Sequence, residues 1–379
     1  MHRSKRCTIY DMSNSNNRMP LIDALKAVAA MLVLLNHFSS YGPLAATVRE
    51  AFPGVFGWLF DYGRMAVQIF LVIAGFLAAR ALSAQGQALE RSPLPLIWKR
   101  YLRLSIPYLA AIGLAIVAAA IAGLWMDDEA IPSQASFKQW LAHALLVQGI
   151  LGIDSLSAGV WYIAIDFQLF ALMAILLWAG RVRLLAPALV IAVSLASLFW
   201  FNRDTSWDNW AIYFFGSYGL GAAAWWASDR KQMSSWLGVI ATITIAALVV
   251  DFRLRIVLAL AVALTLGFGR RTGLLERWPN FKPLVFLGQI SYSVFLVHFP
   301  VLLIANGLYV RLGFSSVNSA IFGLILALTA SIAAATLFYR WIESPAASRN
   351  IAIALSRVFN LLPRAMAVLF ALLVPQRKP

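Results

Sequence analysis

Ten apolar segments, each long enough to cross a lipid bilayer, recur along this chain of 379 residues. A hydrocarbon core of about 30 Å needs about 20 apolar residues in helical form, because a helix rises about 1.5 Å per residue. A helix also satisfies its own backbone hydrogen bonds, which lipid cannot do. The segments begin near residues 21, 58, 100, 159, 183, 209, 234, 253, 284 and 317. We therefore predict an all-α, polytopic membrane protein embedded in the lipid bilayer.

The composition agrees with a membrane protein and argues against a nucleic-acid partner. Hydrophobic residues make up 61% of the chain and charged residues 12%. The net charge of +15 would suit nucleic acid, but the basic residues form short clusters between apolar segments, where they set topology. Cys7 is the single cysteine, so neither an internal disulfide nor a cysteine-based metal site can form. We predict no bound metal.

The distribution of lysine and arginine orients the ten segments. Cytoplasmic loops of membrane proteins carry an excess of basic residues. With a cytoplasmic N-terminus, the outer side carries seven: Arg49, Arg64, Lys138, Arg203, Arg253, Arg255 and Arg311. Lys26 lies inside the first segment, and the other 23 of the 31 basic residues fall on the inner side. If the short apolar stretch 137–151 also spanned, every later cluster would invert. We predict ten spans, both termini cytoplasmic, and a re-entrant or interfacial helix at 137–151.

The ends of the chain are assigned separately from the membrane domain. The basic N-terminus followed by an apolar segment resembles a signal peptide, but Lys26 interrupts the apolar run, so we predict a retained first span. The end of the chain is apolar but broken by Pro363; it is predicted to lie on the inner surface, with an eleventh span as the alternative. The resulting units are a cytoplasmic tail at 1–20, a membrane domain at 21–345 and a C-terminal tail at 346–379.

The first segment carries two ionisable side chains on one face. Lys26 and His37 are eleven residues apart, so on a helix they differ by about 20° in azimuth and about 16 Å along the axis. Ionisable groups inside a membrane segment are costly and usually functional. In the alternative interpretation, Lys26 reaches the near interface and His37 lies among the opposite headgroups.

Two further ionisable residues are assigned by helix rise to the outer half of the membrane, together with His37. Asp166 comes early in an inward segment, and His298 comes about two-thirds along an outward one. A neutral imidazole can take a hydroxyl proton near neutral pH, and a carboxylate can orient it. His37, Asp166 and His298 are therefore candidate catalytic residues. The alternatives are a structural hydrogen bond for Asp166 and a packed imidazole for His298.

A second candidate site lies towards the inner side. Arg100 and Arg103 are three residues apart at the start of the third segment, which places two guanidiniums on one helix face, suited to phosphate. With Lys26 at a similar depth they form a candidate anion site. The alternative is that they only anchor the topology.

Four other residues are candidates for supporting roles. Tyr292, near mid-membrane, needs a hydrogen-bond partner, and Ser291 precedes it. Trp161 fits an aromatic belt at the outer interface. Glu343 is three residues from Arg340, so we expect these two side chains to pair.

Six stretches, in order across residues 21–345, resemble motifs of the integral-membrane acyltransferase 3 family. They are LIDALKAVAAMLVLLNH, QIFLVIAGFL, KRYLRLSIP, VWYIAIDFQLF, GQISYSVFLVHFP and YRWIESP. The first is similar to a basic residue followed after ten residues by histidine, with Lys26 where arginine is commoner. The third is similar to an RxxR motif. Two departures occur: Ala74 stands at a serine position, and Asp166 replaces a glutamate.

This resemblance implies transfer of an acyl group, often acetyl, from cytosolic acyl-CoA to a hydroxyl of an extracytoplasmic carbohydrate or glycosylated acceptor. Lys26, Arg100 and Arg103 would then bind the CoA phosphates, and the pantetheine arm would cover the distance of about 16 Å to His37. His37 would act either as general base or as acyl carrier.

In this interpretation acyl-CoA is a substrate, no tightly bound cofactor is expected, and the location is the bacterial inner membrane. A transporter or flippase of lipid-linked sugars would also place polar groups at mid-membrane, and it remains the alternative, as does a structural scaffold.

The charge asymmetry generates a test of the topology. A cysteine introduced at Ser155, in a chain whose Cys7 is replaced by serine, should react with an impermeant maleimide added outside intact cells, because 137–151 is predicted not to cross the membrane. Reaction only after permeabilisation would show that 137–151 crosses the membrane.

Overall fold

The computed structural model describes residues 18–132, 135–183, 185–229 and 235–351, which are helical and contain no β-strand. The predicted all-α fold is thus confirmed. The helices are α1 (Pro20–Ser40), α2 (Gly42–Ala51), α3 (Pro53–Tyr62), α4 (Val67–Leu82), α5 (Leu94–Ala122), α6 (Phe137–Ala144), α7 (Trp161–Ala179), α8 (Ala186–Phe199), α9 (Ala211–Ala227), α10 (Ser235–Val250), α11 (Leu254–Thr272), α12 (Leu274–Arg277), α13 (Lys282–Gln289), α14 (Ser291–Arg311) and α15 (Val317–Phe338). A π-helical turn, Tyr339–Glu343, follows α15.

Seven helical stretches in the described residues are long and apolar enough to cross a membrane. They are Pro20–Ser40, Pro53–Leu82, Leu94–Ala122, Trp161–Ala179, Ala186–Arg203, Ser291–Arg311 and Val317–Glu343. The other three predicted segments are the shorter or more charged helices α9, α10 and α11. The count of ten spans and the orientation of the termini therefore stay predictions. The proposed roles of residues 1–17 and 352–379 fall outside the described residues.

The stretch 137–151 is helical over only half of its length. Its helix α6 has eight residues, which is about 12 Å and too short to cross the hydrocarbon core. Ser136 and Gln139 form a capping box at its start. His143 Nδ1 donates to the Gln139 carbonyl at 2.8 Å, and its Nε2 accepts from the Leu156 N–H at 3.1 Å. Burial lowers the pKa of His143, which keeps that Nε2 free to accept.

Two segments differ from the sequence-based expectation. Residues 42–51 form the short helix α2 before the second span, and the second span, Pro53–Leu82, begins with α3. Asn36 of α1 donates to the α3 carbonyls of Leu59 at 2.8 Å and Phe60 at 3.0 Å. The segment expected from residue 284 is divided into α13 and α14 at Ile290. His298 consequently lies in the first half of α14, so the expected position two-thirds along its span is wrong.

The contact between α4 and α9 shows how this bundle packs without large side chains. A Cβ on Gly75 would lie 1.8 Å from the Tyr218 carbonyl oxygen, and one on Gly221 would lie 2.0 Å from the Val72 carbonyl oxygen. Only glycine fits at these two positions. Such close approach of backbones is typical of helix pairs in membranes, where lipid provides little hydrophobic drive for association.

The bundle gathers the predicted site residues at two levels. The late part of α1, the chain leading into α7, and α14 meet around His37. The early parts of α5 and α14 meet the π-helical turn, because Tyr292 Oη donates to the Leu104 carbonyl at 3.0 Å and Ser293 Oγ donates to the Glu343 carboxylate. Both levels include residues of α14, so this helix connects them.

Candidate functional site

His37 and His298 form a buried pair of imidazoles. Nδ1 of His37 lies 2.7 Å from Nε2 of His298, and the two ring planes are inclined by 23° with centroids 4.9 Å apart. His298 is fully buried and His37 is 9% exposed. The Tyr41 ring lies edge-on to His37, and His37 Cε1 lies 3.0 Å from the position of a Cβ on Gly159. The sequence predicted both imidazoles in one slab, and the structure brings them into direct contact.

The hydrogen bonds of the pair determine which nitrogen is basic. His298 Nδ1 lies 2.9 Å from the Val294 carbonyl oxygen, and a carbonyl oxygen can only accept, so Nδ1 donates. In a neutral imidazole the other nitrogen, Nε2, is then an acceptor. It accepts from His37 Nδ1. When both rings are neutral, the lone pair of His37 therefore lies on its Nε2. This is the ring nitrogen that does not face His298.

Asp166 lies in a different contact. Arg100 donates from Nη2 to Asp166 Oδ2 at 2.5 Å, and no hydrogen bond or ion pair joins Asp166 to either histidine in the described residues. This differs from the expected carboxylate–imidazole contact. The physical reason is the charge of the guanidinium. Leaving it in the interior without a carboxylate costs more free energy than leaving a neutral imidazole there without one. The position of an orienting group beside His37 is taken by His298 instead.

The ion pair also changes the expected anion site. The Arg100 guanidinium pairs with Asp166 and lies over the Phe170 ring, 5.3 Å from its centroid, so one of the three cations predicted for the anion site already has a carboxylate partner. Arg100 Nε and Asp166 Oδ1 are both buried without a hydrogen-bond partner among the described residues. The buried phenols of Tyr162 and Tyr218 lie close enough to interact electrostatically with both charges. We call these four residues the polar layer.

Lys26 and Arg103 lie close enough to Glu343 to interact with its carboxylate electrostatically, at the level of Tyr292 and Glu343, which is the inner level in the predicted topology. Glu343 also accepts a hydrogen bond from Ser293 Oγ. Lys26 further contacts Asp23, with Nζ 3.5 Å from Oδ1. The expected pair between Glu343 and Arg340 is absent from the described ion pairs, because the π-helical turn directs Glu343 towards Ser293.

The remaining supporting residues have distinct surroundings. Tyr292 donates to a backbone carbonyl of α5, which satisfies the half-buried phenol as expected. Ser291 donates to the Gly288 carbonyl at 2.9 Å, a contact within its own turn. Trp161 is 39% exposed and stacks on Phe214 with ring centroids 5.5 Å apart. Its neighbour Tyr162 is buried rather than part of an interfacial belt.

Sequence reasoning missed the partners of these groups. Asp23 lies three residues before Lys26, a spacing that predicts an ion pair on a helix and could have been found. The Ser293 contact with Glu343 joins residues 50 positions apart, and no local spacing indicates it. Gln148 and Tyr108, hydrogen-bonded at 3.3 Å in the interior, likewise carry no signal in the sequence.

The chain was compared with known proteins. A family model described as an acyltransferase domain, Acyl_transf_3, matches residues 20–340. The chain is 25% identical over 384 residues to peptidoglycan O-acetyltransferase OatA of Listeria monocytogenes, covering 90% of this chain and 57% of that protein. It is 26% identical over 184 residues to regulator of hypoxia-inducible factor 1 of Caenorhabditis elegans, covering 46% of this chain and 37% of that protein. It thus spans less than two thirds of either relative. No solved structure matches.

The Arg100–Asp166 contact generates a stability prediction. Asp166→Ala should lower the free energy of unfolding by about 3 kcal/mol, the low end for a broken buried pair, since the Arg100 side chain is 27% exposed. The double variant Arg100→Met with Asp166→Leu should recover most of that loss, because no unpaired charge remains. Thermal unfolding of the purified protein in detergent measures both. Additive losses in the double variant would contradict the pairing.

Proposed function

Because the chain belongs to the acyltransferase 3 family, we propose that it is a membrane O-acyltransferase that acts on a hydroxyl of a cell-envelope carbohydrate. The donor in this proposal is cytosolic acyl-CoA and the transferred group is acetyl. The observation that carries the proposal is the His37–His298 pair, which presents one basic nitrogen inside a membrane domain. The similarity to a peptidoglycan O-acetyltransferase supports an envelope glycan as the acceptor class.

His37 acts as the general base in the proposed reaction. Its Nε2 takes the proton of the acceptor hydroxyl while that oxygen attacks the thioester carbonyl carbon. The carbon–sulfur bond breaks, the new ester forms, and the leaving thiolate recovers the proton from His37. During the step the imidazolium of His37 donates from Nδ1 to His298 Nε2. That hydrogen bond stabilises the cation and holds the ring in the required tautomer, as a carboxylate does in hydrolytic triads.

The inner level supplies the donor site. Lys26 and Arg103 offer two cations at the predicted cytoplasmic side, where the phosphates of acyl-CoA arrive. The Glu343 carboxylate, which interacts electrostatically with both cations, offsets part of their charge when no phosphate is bound. The helix α1 runs without interruption from Lys26 to His37, so the two levels are separated by about 16 Å, a distance that an extended pantetheine arm covers.

The first test separates chemistry from structure at His37. His37→Gln keeps a similar size but cannot take up a proton. Transfer of acetyl from labelled acetyl-CoA to an acceptor should therefore fall by about 10²–10⁴-fold. CoA affinity measured by calorimetry should stay unchanged, because the phosphate site lies about 16 Å away. His298→Gln should reduce turnover less, since it removes only the group that orients and stabilises His37.

Two results would count against this role. Normal turnover in His37→Gln would show that His37 is only a packed, hydrogen-bonded residue with no part in the chemistry. Labelled acetyl attached to the wild-type protein in the absence of acceptor, and missing from His37→Gln, would replace the general base with an acyl carrier.

The donor site is tested at Arg103. Arg103→Ala should raise the KM for acyl-CoA by about ten-fold to a hundred-fold, since a charge-assisted hydrogen bond contributes about 1.5–3 kcal/mol. Arg103→Lys should recover only part of this, because a point charge replaces a planar fork. Arg91→Ala, which removes an exposed cation just before α5, is the matched control. Equal donor kinetics in Arg103→Ala and Arg91→Ala would assign Arg103 to topology alone.

A further inference from the structure

A cavity of about 310 Å³ opens beside the start of α7, apart from the histidine pair. Three segments meet there: the turn after α6, the first turns of α7, and the loop before α9. All three lie on the outer side in the predicted topology. The polar and aromatic residues around it are Gln148, Trp161, Gln168, Asp208, Asn209 and Phe214. This volume lies at the small end of the usual range for ligand sites.

One face of α7 lines the cavity. Trp161, Ala164, Ile165 and Gln168 follow the spacing i, i+3, i+4 and i+7, which places them on one side of the helix. Trp161 lies at the rim and is 39% exposed, whereas Ala164 and Ile165 are each 3% exposed and form the floor. The cavity thus has an apolar floor, an aromatic wall and an open rim.

Gln148, one of the residues that line this cavity, carries an unused acceptor. The residue is only 1% exposed. Its Nε2 donates to the Tyr108 hydroxyl at 3.3 Å, but its Oε1 has no hydrogen-bond partner in the described residues. An unsatisfied buried amide oxygen costs free energy unless a ligand or water donates to it. At the rim, Asp208 and Asn209 are exposed and add further hydrogen-bonding groups.

We propose that this cavity binds an uncharged pyranose unit of the glycan acceptor. The apolar C–H face of a sugar ring packs on an aromatic ring such as that of Trp161. Its hydroxyls both donate and accept, which matches the free Gln148 oxygen and the amide and carboxylate at the rim. An acyl chain would pack on the apolar floor and the aromatic ring, but it would leave the amide and carboxylate groups without hydrogen-bond partners. The inference rests on the proposed function and deepens it by assigning the acceptor subsite.

The chain itself connects this cavity to the histidine pair. Gly159 lies two residues before Trp161 and has a φ of +79°, and a Cβ at this glycine would lie 3.0 Å from His37 Cε1. A glycan unit on Trp161 is therefore held next to the backbone that contacts His37. The cavity binds a part of the acceptor that does not react, so its contacts are made in the ground state and the transition state alike.

The experiment measures sugar binding and acyl transfer separately. Purified protein in nanodiscs is titrated calorimetrically with chitotetraose, cellotetraose and maltotetraose. At least one of them should bind the wild type, and Trp161→Ala should weaken that affinity by about ten-fold or more, with a smaller loss for Asn209→Ala. Trp200→Ala, which removes an exposed tryptophan on the same predicted side but outside the cavity, should leave the affinity unchanged.

The same variants are then assayed for transfer, with the best-bound sugar as acceptor. Trp161→Ala should raise the KM for the sugar with little change in kcat, as expected for uniform binding. If the sugar binds in a manner that depends on Trp161 but the protein transfers no acyl group, the sugar site is supported and the proposed function is rejected. If transfer occurs and the KM for the sugar is equal in Trp161→Ala and Trp200→Ala, the cavity is not the acceptor subsite and the proposed function is retained. No binding of any of the three sugars would also overturn the inference.

Discussion

The cost of placing an ionisable group in hydrocarbon governs the interior of this protein. Water is not available there to satisfy a charge or a lone pair, so each such side chain needs a partner within the bundle. Arg100 has Asp166, Glu343 has Ser293 with two cations nearby, and His37 has His298. These pairings join helices that are far apart in the sequence. The packing of the bundle and the chemistry of the site therefore depend on the same contacts.

Sequence periodicity and length were sufficient for the fold class, because a span is a local property of about 20 residues. They also found His37, Lys26, Arg100 and His298, since ionisable residues are conspicuous in apolar segments. The choice of partners could not be predicted in the same way. Asp166 could meet either an imidazole or a guanidinium at similar depth, and only the relative rotation of α5 and α7 decides. The break at Ile290, which moved His298 along its helix, has no strong signal such as proline.

Helix α7 shows how one short stretch can serve two environments. Tyr162 and Asp166, four residues apart, belong to the polar layer around Arg100, whereas Trp161 and Ile165, also four apart, line the cavity beside the start of α7. Successive residues of a helix are rotated by about 100°, so neighbours in sequence reach different surroundings. The resemblance found in the stretch VWYIAIDFQLF thus covers both faces of the helix.

The Val294 carbonyl that accepts from His298 limits what the histidine pair can do with a proton. A chain of imidazoles conducts protons only if each ring can release on one side what it receives on the other. Here the far nitrogen of the second ring already donates to a peptide oxygen, which cannot take the proton away. A proton therefore cannot pass beyond His298. A proton taken up at His37 Nε2 must leave by the same nitrogen, so the two imidazoles cannot relay protons from His37 through His298 into the rest of the bundle.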